Sequence, residues 1–217
     1  MTNRTSLPIK RAASCAAILF LAVSALATTN NYSIGINFAS DQFASNDGQV
    51  TYTVPTALAP TDLAGVPGVQ QQNWNNVLDA NGTGFSGAYA TPSVVAGLVA
   101  DTNGVSVATT ASIEWQANGT WSTSGSRGAG ENNGTNLLAG TADNLLMTGY
   151  LDVTGAGTPT LITLRSLPTE LTSGGYHVYV YSLGGARANR GGSIRITDTN
   201  GIPLTPYQLH KIGRAHV

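Results

Sequence analysis

From residue 32 onward the chain alternates short runs of β-branched and aromatic residues with clusters of turn formers, and this punctuation constrains the fold more than any other feature. The runs fall at residues 32–38, 49–54, 105–117, 145–153, 159–164, 176–183 and 193–197. No stretch repeats apolar residues at i, i+3, i+4 and i+7 for three turns, which excludes helix as a major element. Short extended runs at this spacing predict an all-β fold, an antiparallel β-sandwich or jelly roll. The connectors carry Asn46-Asp-Gly48, Asn81-Gly82, Asn103-Gly104, Asn118-Gly119, Asn133-Gly134 and Asn200-Gly201, residue pairs that accept the backbone angles of tight turns. Asn118-Gly119, set between Trp115 and Trp121, is the strongest hairpin signal.

Two runs predict their own orientation. In Tyr176-His-Val-Tyr-Val-Tyr181, alternation puts Tyr176, Val178 and Val180 on one face and His177, Tyr179 and Tyr181 on the other. In residues 105–117, Ile113 and Trp115 share a face and Glu114 points away. Both read as central strands with one face on the core.

The two ends read as processing features. Residues 1–27 carry Arg4, Lys10 and Arg11, an apolar stretch over 12–26, and Ala25-Leu-Ala27 as a small-x-small cleavage site, the pattern of a secretory signal peptide. Its apolar stretch is shorter than the ~20 residues of a spanning helix, so no membrane insertion of the mature chain is expected; an uncleaved N-terminal anchor is the alternative. Lys211-Ile-Gly-Arg-Ala-His-Val217 resembles the translation of a common short-read sequencing adaptor; on that resemblance the natural sequence stops near His210, and a genuine basic tail is the alternative. Residues 28–210 then form a single domain, incomplete at its C-terminus, with no linker or internal repeat. The only cysteine, Cys15, lies in the leader, so the mature domain must be stabilised by burial and backbone pairing rather than by disulfides.

Between Thr28 and His210 there are five arginines, eleven carboxylates and no lysine, a net charge of −6. Such a surface cannot supply the phosphate neutralisation that nucleic-acid binding rests on, and anionic lipid is disfavoured for the same reason.

An ordered set of motifs spans the domain: Ser33-Ile-Gly-Ile-Asn-Phe38, Asp62-Leu-Ala-Gly-Val-Pro67, Asn73-Trp-Asn-Asn76, Leu145-Leu-Met-Thr-Gly-Tyr-Leu-Asp152, Tyr176-His-Val-Tyr-Val-Tyr181 and Arg190-Gly-Gly-Ser193. Together they resemble a family of secreted β-sandwich domains of environmental bacteria, with WNN, LMxGYLD and YDVYVY-type motifs. The resemblance implies a galactose-binding-like jelly roll within a large secreted or cell-surface protein, flanked by neighbouring domains of a longer polypeptide. Two departures stand out: His177 replaces the family's usual Asp, and the family's closing "aNYvvF" and "apvnaiQI" strands are absent.

Several residues are candidates for ligand contact. Trp74, Asn75 and Asn76 make either a sugar platform, an aromatic face with amides for hydroxyls, or an Asn-rich turn pinned by a buried tryptophan whose indole N–H finds a carbonyl. Trp115 reads as core and Trp121 reads either way. The long loop 124–136, with Arg127, Glu131, Asn132 and Asn133, offers donors to sugar hydroxyls or oxygens to calcium; Asp101 and Asn103 form a second oxygen-rich turn. Arg187, Arg190 and Arg195 make either an anion patch or pairs with the chain's surplus acids. No cofactor is implied apart from a place for calcium. For catalysis, Glu114, Glu131 and Glu170 are scattered, no E-x-D-x-E or G-x-S-x-G pattern occurs, and no His/Cys cluster suggests a transition metal. The sequence therefore points first to an exported non-catalytic module that binds carbohydrate, next to an architectural domain of a surface protein, and last to a polysaccharide-active hydrolase.

Overall fold

Strand β2, Tyr32–Phe38, is buried along its whole length and organises the rest. Its even-numbered side chains, Tyr32, Ile34, Ile36 and Phe38, enter the main hydrophobic core. Its odd-numbered positions, Ser33, Gly35 and Asn37, face a second layer built from residues 57–77. A strand covered on both faces carries mostly apolar or small residues, and the polar exception here, Asn37, donates to Asn76 Oδ1. The computed structural model describes residues 20–25, 32–38, 42–44, 51–53, 57–77, 93–117, 119–122, 140–152, 159–181, 190–205 and 208–212.

The fold is all-β. The largest sheet runs in the order β13 (Tyr176–Tyr181), β1 (Phe20–Ala25), β2, β7 (Val99–Thr102), β8 (Val105–Ala108), with β5 (Asn75–Val77) also paired to β2. The β2–β5 pairing is parallel, a departure from the purely antiparallel arrangement expected. A three-stranded sheet orders β12 (Leu161–Arg165), β9 (Ser112–Gln116) and β6 (Ser93–Ala96), and three two-stranded ribbons join β10 (Gly119–Ser122) to β11 (Gly149–Asp152), β14 (Arg190–Ile194) to β15 (Gln208–Ile212), and β3 (Gln42–Ala44) to β4 (Thr51–Thr53). The main core joins the two larger sheets, because Ile113 and Trp115 of β9 cluster with the inward residues of β2, and Trp115 meets Phe38 edge-on at 5.8 Å.

Alternation holds where it was sharpest. In β9, Ile113 and Trp115 are buried, while Glu114 lies on the other face, its carboxylate 3.5 Å from the Arg165 guanidinium. In β13, Val178 and Val180 pack on the main core, and Tyr179 and Tyr181 pack on a second cluster of Leu58, Ala64, Trp74, Leu146 and Met147. The strand thus has apolar contacts on both faces rather than the single core face expected.

Three local expectations change. Residues 105–117 are two strands, β8 and β9, that belong to different sheets. Asn118-Gly119 does not close a hairpin, since β9 pairs with β6 and β12 while β10 pairs with β11. The tight hairpin is β7–β8, where Asn103 (φ 53°) and Gly104 (φ 86°) connect the paired Thr102 and Val105, the two positive φ values of a type I′ turn. Finally, the first part of 145–153 is helical: α1, Ala142–Leu146, starts where Thr141 Oγ1 accepts the Asn144 amide, a cap that outweighs the β-prone residues behind it. Among the described residues the only other helix is α2, Thr169–Thr172, and no helix is long and apolar enough to cross a membrane.

At both ends the strands overlap the processing features read from sequence. β1 lies inside the apolar stretch 12–26, and β15 extends into the adaptor-like heptapeptide through Lys211 and Ile212.

Candidate functional site

The Trp-Asn-Asn motif is committed to the fold. Trp74 is 5% exposed, its indole N–H donates to Gln71 O at 3.0 Å, and its ring meets Tyr181 edge-on. Asn75 Nδ2 donates to Gly35 O and Val99 O, and its Oδ1 accepts the Val99 amide at 2.8 Å. Asn76 repeats the device on the other side: Nδ2 donates to Leu58 O, and Oδ1 accepts from Leu58 N and Asn37 Nδ2. The two amides bond backbone as a strand edge would; Asn75 and Asn76 lie on strand β5 rather than in a turn, and Trp74 is buried as the second alternative for this motif had it.

The other candidates are not brought to one place within the described residues. Trp121 lies on β10 opposite Tyr150, and Arg190 begins β14 opposite Ile212; of their side chains nothing is described. Arg127, Glu131, Asn132, Asn133 and Arg187 lie outside the described residues. Among those described, no three His, Cys, Asp or Glu side chains group as metal ligands. Glu114 faces Arg165 rather than a second acid.

A different site forms where β2, the β7–β8 turn and the 62–72 segment meet. Ser33 and Asp101 are cross-strand partners on β2 and β7, and with Leu63, Gln70, Gln71, Gln72, Asn103 and Gly104 they line a cavity of about 230 Å³. Leu63, Gln70, Asn103 and Gly104 are exposed and form its mouth, whereas Asp101 (4% exposed) and Gln71 (2%) form its floor. Asp101 is held by two neutral donors: Asn73 Nδ2 at 2.6 Å and the Gly104 amide at 3.1 Å. No cation accompanies it among the described residues. Asn73 takes a positive φ of 53°, a conformation asparagine tolerates better than most residues, and this turns its amide onto the carboxylate.

The floor also holds an unmet acceptor. Gln71 Nε2 donates to Gln72 O at 3.3 Å, but Gln71 Oε1 is buried and accepts no hydrogen bond from any described residue. Leaving such an atom unpaired costs about 1–3 kcal/mol. The wall behind is fixed: Gly65 N donates to Asp143 Oδ1 at 2.8 Å, and Val66 N donates to the Tyr181 hydroxyl at 3.1 Å. Burial pushes the Tyr181 phenol above its usual pKa; the Val66 hydrogen bond opposes the shift, and the nearby Asp143 and Tyr179 add to it.

Asp101 and Asn103 were legible as an oxygen-rich turn. Ser33, Leu63 and Gln70 to Gln72 carried no signal, because neutral residues far apart in sequence become a site only through the β2–β7 register. No family model, curated protein or solved structure matches the chain.

Proposed function

We propose that this chain is an exported, non-catalytic binding module for carbohydrate, with the cavity over Asp101 and Gln71 as the place where a sugar ring docks. The observation that carries this reading is a cavity open to solvent whose lining includes the buried Asp101 carboxylate, with no cation beside it among the described residues, together with the amide side chains of Gln70, Gln71 and Gln72. Sugar hydroxyls both donate and accept, so they match carboxylate and amide oxygens together with amide NH2 groups. Leu63, 52% exposed at the mouth, offers apolar surface to the C–H face of a ring. A calcium ion fits less well, since hard cations gather six to eight oxygens, usually with several carboxylates, and Asp101 is the only acid here.

The test is a glycan array probed with the full chain, followed by calorimetry on the strongest hit. The Gln70→Ala change at the rim is expected to leave circular dichroism unchanged and weaken binding roughly ten-fold, the ~1.4 kcal/mol of a lost hydrogen bond. A flat array with folded protein ends the carbohydrate reading and favours an architectural role. Export is tested separately, by fractionating expressing cells and sequencing the N-terminus of the protein found outside the cytoplasm; a start near Thr28 supports export with cleavage, an intact Met1 overturns the cleavage, and protein confined to the cytoplasm overturns export.

A further inference from the structure

We propose that the space between β2 and β13 is a strand-acceptor site, which takes an extended, uncharged, apolar peptide segment antiparallel to both neighbours, and that Phe20–Ala25 is its occupant in the unprocessed chain. The inference rests on the sheet and on the reading of residues 1–27 as a cleaved leader, and is independent of the cavity over Asp101.

Phe-Leu-Ala-Val-Ser-Ala pairs along all six residues with β13, from Phe20 opposite Tyr181 to Ala25 opposite Tyr176, and along four with β2, from Leu21 opposite Ile36 to Ser24 opposite Ser33. Among the described strands, β13 has no other ladder. Its place does not depend on β1 alone, however. Val178 and Val180 pack on the main core, Tyr179 and Tyr181 pack on the second, and the Tyr181 hydroxyl accepts the Val66 amide. On the other side, β2 is buried throughout and paired along its far edge with β7 and β5. Both walls thus also make contacts that do not involve β1, those of β13 through its side chains.

When the segment leaves, two strands face each other across a gap of about 9.5 Å, twice the ordinary strand spacing. Their inward backbone groups lose their partners, and buried N–H and C=O groups are rarely left so. The segment belongs to the stretch that reads as a leader ending at Ala27, so processing would vacate the slot. A second polypeptide can then add a strand there, main-chain bonds giving affinity and alternate side chains selectivity. The chemistry of that partner follows from the present occupant: at least six extended residues, uncharged, small or apolar throughout.

Two experiments on the full chain decide it. With Cys15→Ser as background, Val23→Cys with Val178→Cys is expected to form a disulfide on mild oxidation, because directly opposed Cα atoms lie within bridging distance. Val23→Cys with Tyr179→Cys, one position out of register, is expected to crosslink far less. No crosslink in the first pair, or equal crosslinking in both, overturns the register. In the second experiment a protease site is inserted after Ala27, the folded protein is cut, and a labelled peptide of residues 18–27 is added. Saturable binding is expected, weakened at least roughly ten-fold when proline replaces Val23 in the peptide and removes a central donor. Absence of binding, or equal binding of the proline peptide, overturns the acceptor site even where the crosslink forms.

Discussion

The side chain of Asn75 pairs with both the amide and the carbonyl of Val99, accepting from one and donating to the other at 2.8 Å each. A second proton of the same amide group reaches Gly35 O on β2. One residue therefore ties the start of β7 to β2 at the point where the edge of β2 passes from β7 to β5. Asn75→Ala leaves the Val99 groups and the Gly35 carbonyl without partners. The expected cost is about 2–4 kcal/mol, from unpaired groups at ~1–3 kcal/mol each in a partly buried place. Urea unfolding checks it, and a loss below ~0.5 kcal/mol would remove the bridging role.

Gly35→Ala probes the contact between β2 and the second layer. A Cβ at this position would lie 2.2 Å from Gln71 Nε2 and 2.7 Å from Trp74 Cε3. Gln71 could swing, but the tryptophan is buried and bonded through its indole N–H. Overpacking of this kind costs about 1–3 kcal/mol, and here it also displaces the cavity floor. The variant is expected to melt earlier than the parent and to bind less of any ligand the parent binds.

The strands were legible where alternation was strict, as in Ile113-Glu-Trp115 and the tyrosine strand, because a period of two is a local property. The division of residues 105–117 between two sheets was not legible. It depends on Leu98 accepting the Thr109 amide and donating to Ala111, a clasp no propensity encodes. Thr141 capping α1 was missed because its weight shows only against the β-prone residues that follow. For the Trp-Asn-Asn motif, both an exposed and a buried arrangement agreed with the residue types, and only the packing of Trp74 against Tyr181 separates them.

The tyrosines set an alkaline limit. Burial, with Glu170 nearby, raises the Tyr32 phenol, and burial foremost raises Tyr181. Unfolded tyrosines ionise near pH 10. Below that pH both states are protonated and the stabilisation is complete. Above it the unfolded chain loses protons first, so stability falls as pH rises towards the folded values. Urea midpoints taken across this range should decline, with a shallower slope in Tyr181→Phe. A parallel decline would show that Tyr181 takes no part.

Arg165 and Glu114 sit 3.5 Å apart with the arginine side chain 51% exposed. Exposed pairs contribute ~0–1 kcal/mol. Arg165→Gln should therefore shift stability by less than about 0.5 kcal/mol; a loss above ~2 kcal/mol would place the guanidinium in a structural role.

The cavity draws its walls from residues near 33, 63–72 and 101–104. The β7–β8 hairpin closes over two residues and is quick to form, but bringing β2 against β7 joins positions 68 residues apart at Ser33 and Asp101. Loop closure over such separations slows folding. The hairpin that carries Asp101 is therefore expected to form before the chamber around it, which closes only once β2 has found β7.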